Sequence, residues 1–270
     1  MRVSREEMRF DFGGAKFRLP RDAPVLGWIF NQFLYGEVTG IQCGHWLYRA
    51  PTLEAARFFA RQASEELSHV QQFVSLLSLV GARPEQPNRW VRFLATGAMG
   101  TDFAEHVATE MAVGEGLVLQ VLYALTDTIE DERIVKTLEG IARQEERHVA
   151  FGEEQTAALV QRNPALAKRL LGLNLVSFWG IERIGRHVAR HLDPTHEVLR
   201  LAPMFLAKMK ETLSLRLERL GLTPKPIVEL TATQRSWLVS TAVLSRPAAR
   251  LFGRRRLLTD TYLADPSLLG

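Results

Sequence analysis

The chain reads as all-α: a four-helix bundle made of two antiparallel hairpins, followed by two or three further helices. Three observations predict this. Apolar residues recur at the 3.6-residue period over long stretches, and no segment shows the period-two alternation of a strand. Helix breakers fall at intervals that leave helices of roughly 25–30 residues between them. A unit also repeats: Glu37 stands 29 residues before Glu66, and Glu115 stands 30 before Glu145. Each later glutamate opens a Glu-x-x-His string, Glu66-Leu67-Ser68-His69 and Glu145-Glu146-Arg147-His148.

Residues 1–24 read as an irregular segment, with Gly13-Gly14, Pro20 and Pro24. A first helix is expected over 25–49, stopped by Pro51, and a second over 52–80, ended by Gly81. The stretch 82–99 holds Pro84, Pro87 and Gly97 and reads as a connection. A third helix is expected over 101–126. Asp127 or Thr128 can cap a fourth over 129–162, which ends before Pro164. A fifth covers 165–192 and stops at Asp193-Pro194; a sixth covers 195–220 and ends at Gly221. Pro224 and Pro226 mark a linker, and a seventh helix begins near Thr231 and weakens at Pro247. The domain reading is therefore 1–24 irregular, 25–162 a four-helix bundle, and 163–270 added helices with a basic tail packed on it.

Connection lengths give the topology. Helices one and two are joined almost directly, as are three and four, so each pair is a hairpin. The link between the pairs has about 18 residues and reaches about 60 Å when extended, against about 42 Å for a helix of ~28 residues. It can run the length of the bundle.

Composition narrows the function classes. With 270 residues, 46% of them hydrophobic, the chain can bury one large core. A net charge of +4 and a pI near 9.4 are not the footprint of a dedicated nucleic-acid binder. A single cysteine, Cys43, excludes a disulfide framework and a four-cysteine metal site. The first 21 residues are charged and lack an apolar signal core, and no uncharged apolar run reaches about 18 residues. A cytoplasmic protein without a membrane span is expected.

The repeated motif carries the chemistry. At i and i+3, Glu and His leave a helix on one face. Around Glu66 that face holds Phe59, Ala63, Val70, Phe73 and Leu77; around Glu145 it holds Leu138, Ile141, Ala142 and Val149. A carboxylate on an apolar face is costly unless paired or bound to metal. Four carboxylates and two imidazoles (Glu37, Glu66, His69, Glu115, Glu145, His148) meet that demand with two divalent cations. Glu65 and Glu146 fall off the stripe. Glu110 is the rival of Glu115 on the third helix. Gly36, Gly40, Gly114 and Gly116 read either as close helix packing or as space, or a local helix widening, beside the metals. Cys43 reads as a buried structural thiol. Tyr35, Trp46, Tyr48 and Tyr123 read as packing or as electron relays, and His187, His191 and His196 as solvated or capping residues. Trp179, Phe178 and Phe205 read as core or as a pocket wall.

On these residues the chain resembles the ferritin-like di-iron carboxylate superfamily over roughly residues 25–160. The resemblance implies that Glu37, Glu66 and His69 serve one metal and Glu115, Glu145 and His148 the other, with Glu66 and Glu145 bridging. Glu65 and Gln144, each preceding a motif, would then orient a histidine. Within the superfamily, storage ferritins lack a second complete Glu-x-x-His, and rubrerythrins need cysteines absent here. The ribonucleotide reductase small subunit usually has Asp and a radical Tyr where this chain has Glu37 and Phe73. Arylamine N-oxygenases have a further His where Ile141 stands. Aldehyde-deformylating oxygenases resemble the chain in having four Glu, two His and near-30 spacings, as do the related quinone hydroxylases, whose chains are generally shorter.

The resemblance implies a dioxygen-activating, non-haem di-iron oxygenase or oxidase. Its cofactors would be two Fe ions (Mn or mixed Mn/Fe as variants), dioxygen and an external electron donor. Its substrate would be a small organic or carrier-bound molecule. Ferroxidase and manganese catalase are the alternatives. The Arg254–Arg256 run would dock an acidic partner such as a ferredoxin-type reductant or a carrier protein, or form a solvated tail. A homodimer is compatible with the added helices.

Overall fold

A computed structural model describes residues 3–97, 99–191, 193, 195–244 and 258–265. The arginines at 250 and 254–256 lie outside them, as does the end of the seventh helix. Among the described residues there is no strand, only a single bridge between Phe17 and Ile129, and the protein is all-helical. The residues group into two compact units: Phe17–Gly97 with Ile129–Thr137 and Gly253–Gly270, and Met1–Lys16 with Ala98–Thr128 and Leu138–Phe252. They are called the hairpin unit and the large unit.

In the hairpin unit, α1 (Ala23–Gly40) continues as a 3-10 helix over Ile41–Arg49. The sequence predicts one α-helix over the whole span. α2 runs Leu53–Leu79, with Thr52 as N-cap: its hydroxyl accepts the Ala55 N–H at 3.1 Å. Gly81, at φ +69°, closes the C-terminus in the left-handed conformation that only glycine adopts at little cost. The two helices run antiparallel. Phe33 stacks on Phe73 at 5.1 Å, and the Cys43 thiol points to the Phe59 carbonyl. Leu26, Phe30, Leu34, Phe59, Phe73 and Leu77 are buried between them. The connection is tied back to α1 by Asn31, which donates to the Arg83 carbonyl and accepts from the Glu85 N–H at 2.7 Å.

In the large unit, α3 spans Phe103–Thr128 and changes pitch. Phe103–Glu105 is α-helical, His106–Glu115 is a π-helix, and Gly116–Thr128 is α-helical again. By length and composition α3 is apolar enough to cross a membrane, but 67% of its apolar window is buried inside the protein, as in a core helix. α4 runs Glu132–Arg162; its residues from Leu138 onward belong to the large unit. It is antiparallel to α3, with Gly152 set against the Met111–Ala112 backbone and Tyr123 bonded to Glu146. Asp131 caps α4, accepting the N–H of Arg133 and Ile134 at 3.0 and 3.3 Å. The sequence pointed instead to Asp127 or Thr128. The structure continues α3 through those two residues, so a cap for the next helix must follow them.

α5 (Ala165–His191), α6 (Ala202–Arg219) and α7 (Ala232–Leu244) pack around Leu170, Leu171, Leu175, Leu213, Leu217 and Leu238. α6 begins later than the sequence suggests. Leu199–Leu201 is a 3-10 turn, and His196 Nδ1 accepts the N–H groups of Leu199 and of Val198 just before it. His196 is thus the capping residue that its position near a helix end suggested. The N-terminal segment holds a short helix, Arg5–Met8, closed by a Ser4/Glu7 capping box. Glu7 clamps Arg219 through both carboxylate oxygens, at 2.8 and 2.5 Å.

Candidate metal centre

Each unit contains two of the candidate glutamates and one histidine, and in each unit one Glu and the His come from a Glu-x-x-His string on one helix face. In the hairpin unit, Glu37 comes from the last turn of α1 and Glu66 and His69 from one face of α2. All three are buried. His69 Nδ1 lies 3.1 Å from Glu37 Oε2 and 3.9 Å from Glu66 Oε2. One ligand atom from each residue falls within 4.8 Å of the others. Two ligands in adjacent positions about an octahedral metal, each at about 2.1 Å, are about 3 Å apart and opposite ones about 4.2 Å. The observed separations fit that range.

Two further residues shape the Glu66 carboxylate. Gln62, one turn earlier on the same face and buried, donates to Glu66 Oε1 at 3.3 Å. Gly40 leaves room for it: a Cβ there would lie 2.5 Å from Glu66 Oε2. Gly36 faces open space. Of the two readings of these glycines, Gly40 therefore makes space for a ligand side chain, while Gly36 has no close neighbour. Glu65, its side chain only 13% exposed, accepts from Arg61 Nε at 3.0 Å.

In the large unit, Glu145 and His148 are buried, with His148 Nδ1 3.6 Å from Glu145 Oε2. Glu115, partly buried, brings a carboxylate oxygen within 4.8 Å of a His148 ring nitrogen. Glu110 is directed elsewhere: it accepts the Gly100 N–H and approaches His106 Nδ1 at 3.1 Å. The π-helical segment ends on Glu115. Gly114 lies against the Thr109 carbonyl five residues back, where a Cβ would come to 3.1 Å. Helix widening, one of the readings given to the glycines here, is present. Gly116 serves a different purpose, since a Cβ there would lie 2.5 Å from the Arg216 guanidinium.

Sequence reasoning missed several side chains around the triads. Tyr123 donates to Glu146 Oε1 at 2.6 Å, and the Arg5 guanidinium sits 4.5 Å over its ring. Burial, then the Glu146 carboxylate, pushes the Tyr123 phenol above its usual range. Glu105, one turn before Thr109, is buried and accepts from Thr101 at 2.8 Å, with Arg169 at 3.7 Å. Arg216 and Glu153 form a buried ion pair at 2.8 Å. Only Gln62 carried a signal, its i−4 position relative to Glu66. The others depend on helices distant in sequence. Of the aromatic residues read as a pocket wall, Phe178 is core, Trp179 is half-exposed under Arg183, and Phe205 packs on Phe10 and Phe12.

The donor set suits a hard or borderline divalent cation: carboxylate oxygens and imidazole nitrogens, as Fe and Mn prefer. The only thiol, Cys43, is directed at the Phe59 carbonyl. No known protein family and no curated protein matches the chain.

Proposed function

We propose that the chain is a ferritin-like, non-haem di-iron oxygenase or oxidase acting on a small organic or carrier-bound substrate. The observation that carries this is the duplicated Glu/Glu/His set, Glu37/Glu66/His69 and Glu115/Glu145/His148, buried except for the partly buried Glu115. Each triad would be the ligand set of one divalent metal; in support, Glu37, Glu66 and His69 lie within 4.8 Å of one another, and His148 lies near both Glu115 and Glu145. Four carboxylates balance the charge of two such ions, which gives a reason for burying Glu37, Glu66 and Glu145 away from water.

The chain's residues have definable tasks. Glu37, Glu66 and His69 hold one metal, and Glu115, Glu145 and His148 hold the other. Gln62 would limit the rotation of the Glu66 carboxylate, and the absence of a side chain at Gly40 leaves it room. The buried apolar faces of α2 and α4 keep water from the carboxylates. When bound, a reduced iron pair supplies electrons to dioxygen. In a monooxygenase turnover, two electrons come from an external donor of the ferredoxin class and two from the substrate. One oxygen atom enters the product and the other leaves as water.

The test is metal content by mass spectrometry, followed by oxygen uptake. Two irons per chain, with oxygen consumed stoichiometrically by the reduced form, is the expected result. Many irons per chain in a hollow assembly would make it a ferroxidase. Two manganese ions with rapid peroxide disproportionation would make it a catalase.

A further inference from the structure

In the large unit, α7 presents an uncharged outer face. Its outward positions Thr233, Ser236, Trp237, Ser240, Val243 and Leu244 are all exposed, and none carries a charge. Trp237 is 53% exposed, Val243 46% and Leu244 83%. The opposite face, with Leu238 and Ala242, is buried against α5. Gly172 lets the two helices meet there, since a Cβ at that position would strike the Leu238 carbonyl. α7 therefore carries apolar residues on both sides, and α5 covers only one of them. We propose that the outer face of α7 docks on an anionic lipid surface.

Charge selects the occupant. Between Glu229 and Asp260 the sequence holds six arginines and no acid. The stretch of α5 under α7, residues 165–181, holds no acid either. Lys168 Nζ lies 3.7 Å from the centre of the Trp237 ring, and Arg235 flanks the buried side over Phe178 at 5.8 Å. Asp102 and Glu105, which meet α5 nearby, are held by Arg169 at 2.8 and 3.7 Å. The arginines beyond Leu244 lie outside the described residues and count here only as sequence charge. Each basic residue near an anionic leaflet strengthens attraction about fivefold. Stable attachment takes a second, apolar signal. Trp237, Val243 and Leu244 supply it.

The same features disfavour other occupants. A second copy in two-fold contact would pair this face with itself and set two arginine-rich segments side by side. An acidic protein would find no cation among the outward positions of α7. A leaflet meets both demands. Its headgroups are anionic, and its interface is where tryptophan, lysine and short apolar side chains settle together. Nothing in this reading rests on the metal ligands.

The test is sedimentation of the full chain with phosphatidylcholine vesicles, with and without about 30% phosphatidylglycerol. Expected is saturable binding to the anionic vesicles, at least about tenfold weaker to the neutral ones, and weakened by about 0.5 M salt. Lipids brominated in the acyl chain should quench Trp237 fluorescence, and Trp237→Phe should remove that component. The double variant Trp237→Ser/Leu244→Ser changes only exposed side chains. It should keep its circular dichroism and bind at least about tenfold less. Tyr48→Ser, at a wholly exposed residue of the hairpin unit, should bind as the parent does. Unchanged binding by the double variant would overturn the location and reduce the effect to general charge attraction. Absence of binding to the anionic vesicles, or equal binding to the neutral ones, would overturn the proposal. A dimer that the double variant dissociates would then make the face a contact between copies, and binding to polyglutamate instead would make it a site for acidic protein.

Discussion

The Glu66 carboxylate is positioned by Gln62 at 3.3 Å, His69 at 3.9 Å and the missing side chain of Gly40. Gly40→Ala puts a methyl group 2.5 Å from Glu66 Oε2. The carboxylate must rotate away, and metal affinity is expected to fall by about 10–100-fold, the usual effect of losing support around a ligand. Competition with a chelator measures this; unchanged affinity would remove Glu66 from the ligand set. The choice between Glu110 and Glu115 is tested by metal counting. Glu115→Ala should lose stoichiometric loading, whereas Glu110→Ala should keep it, because Glu110 is engaged with Gly100 and His106. The candidate ligands were legible in the sequence because each motif places Glu and His on one helix face, and those faces are apolar. The role of Gly40 was not, because the carboxylate that fills its space comes from a residue 26 positions later.

At the scale of elements, two features decide where the side chains go, and both escape periodicity. The π-helical stretch His106–Glu115 shifts the phase of α3 immediately before Glu115. A 3.6-residue template therefore assigns the wrong relative angle to Glu110 and Glu115. The start of α4 had three acceptable caps within five residues: Asp127, Thr128 and Asp131. Tertiary partners choose among them, since the Thr128 hydroxyl is donated to the Ala124 carbonyl at 2.6 Å and Asp127 faces Arg9 at 3.3 Å. The N-terminal segment likewise reads as irregular, yet its short helix is fastened to α6 by Glu7 and Arg219. The hydrogen bonds from Arg219 hold the Glu7 carboxyl near pKa 2, below its ordinary 4.5. A depressed pKa stabilises the folded state above the unfolded value, and that contribution is lost as pH falls from 4.5 toward 2. Glu7→Gln should therefore flatten the fall of stability with pH across that window and leave the slope above it unchanged. Denaturant titrations at a series of pH values check this. An identical slope in parent and variant would mean the clamp is already broken in solution.

For the whole molecule, metal held at the proposed triads would link binding to stability. Together they bury three carboxylates, Glu37, Glu66 and Glu145, and two imidazoles, which a metal-free chain must keep out of water. A ligand that binds only the folded state at 100 times its dissociation constant stabilises by about 2.7 kcal/mol per site, so two sites give about 5 kcal/mol. For a chain of this size, that is a rise in melting temperature on the order of 10–20 °C. Anaerobic Fe(II), or Mn(II), is expected to produce such a rise, and chelation to reverse it. The more discriminating variant is Glu145→Leu. Replacing a buried charge by an apolar residue of similar volume should raise the melting temperature of the metal-free chain. The same change should remove much of the metal-induced increment, because one triad can no longer close. The parent and variant curves then converge or cross as metal is added. A variant less stable than the parent without metal, and equally responsive to it, would show that Glu145 serves a structural network and holds no metal.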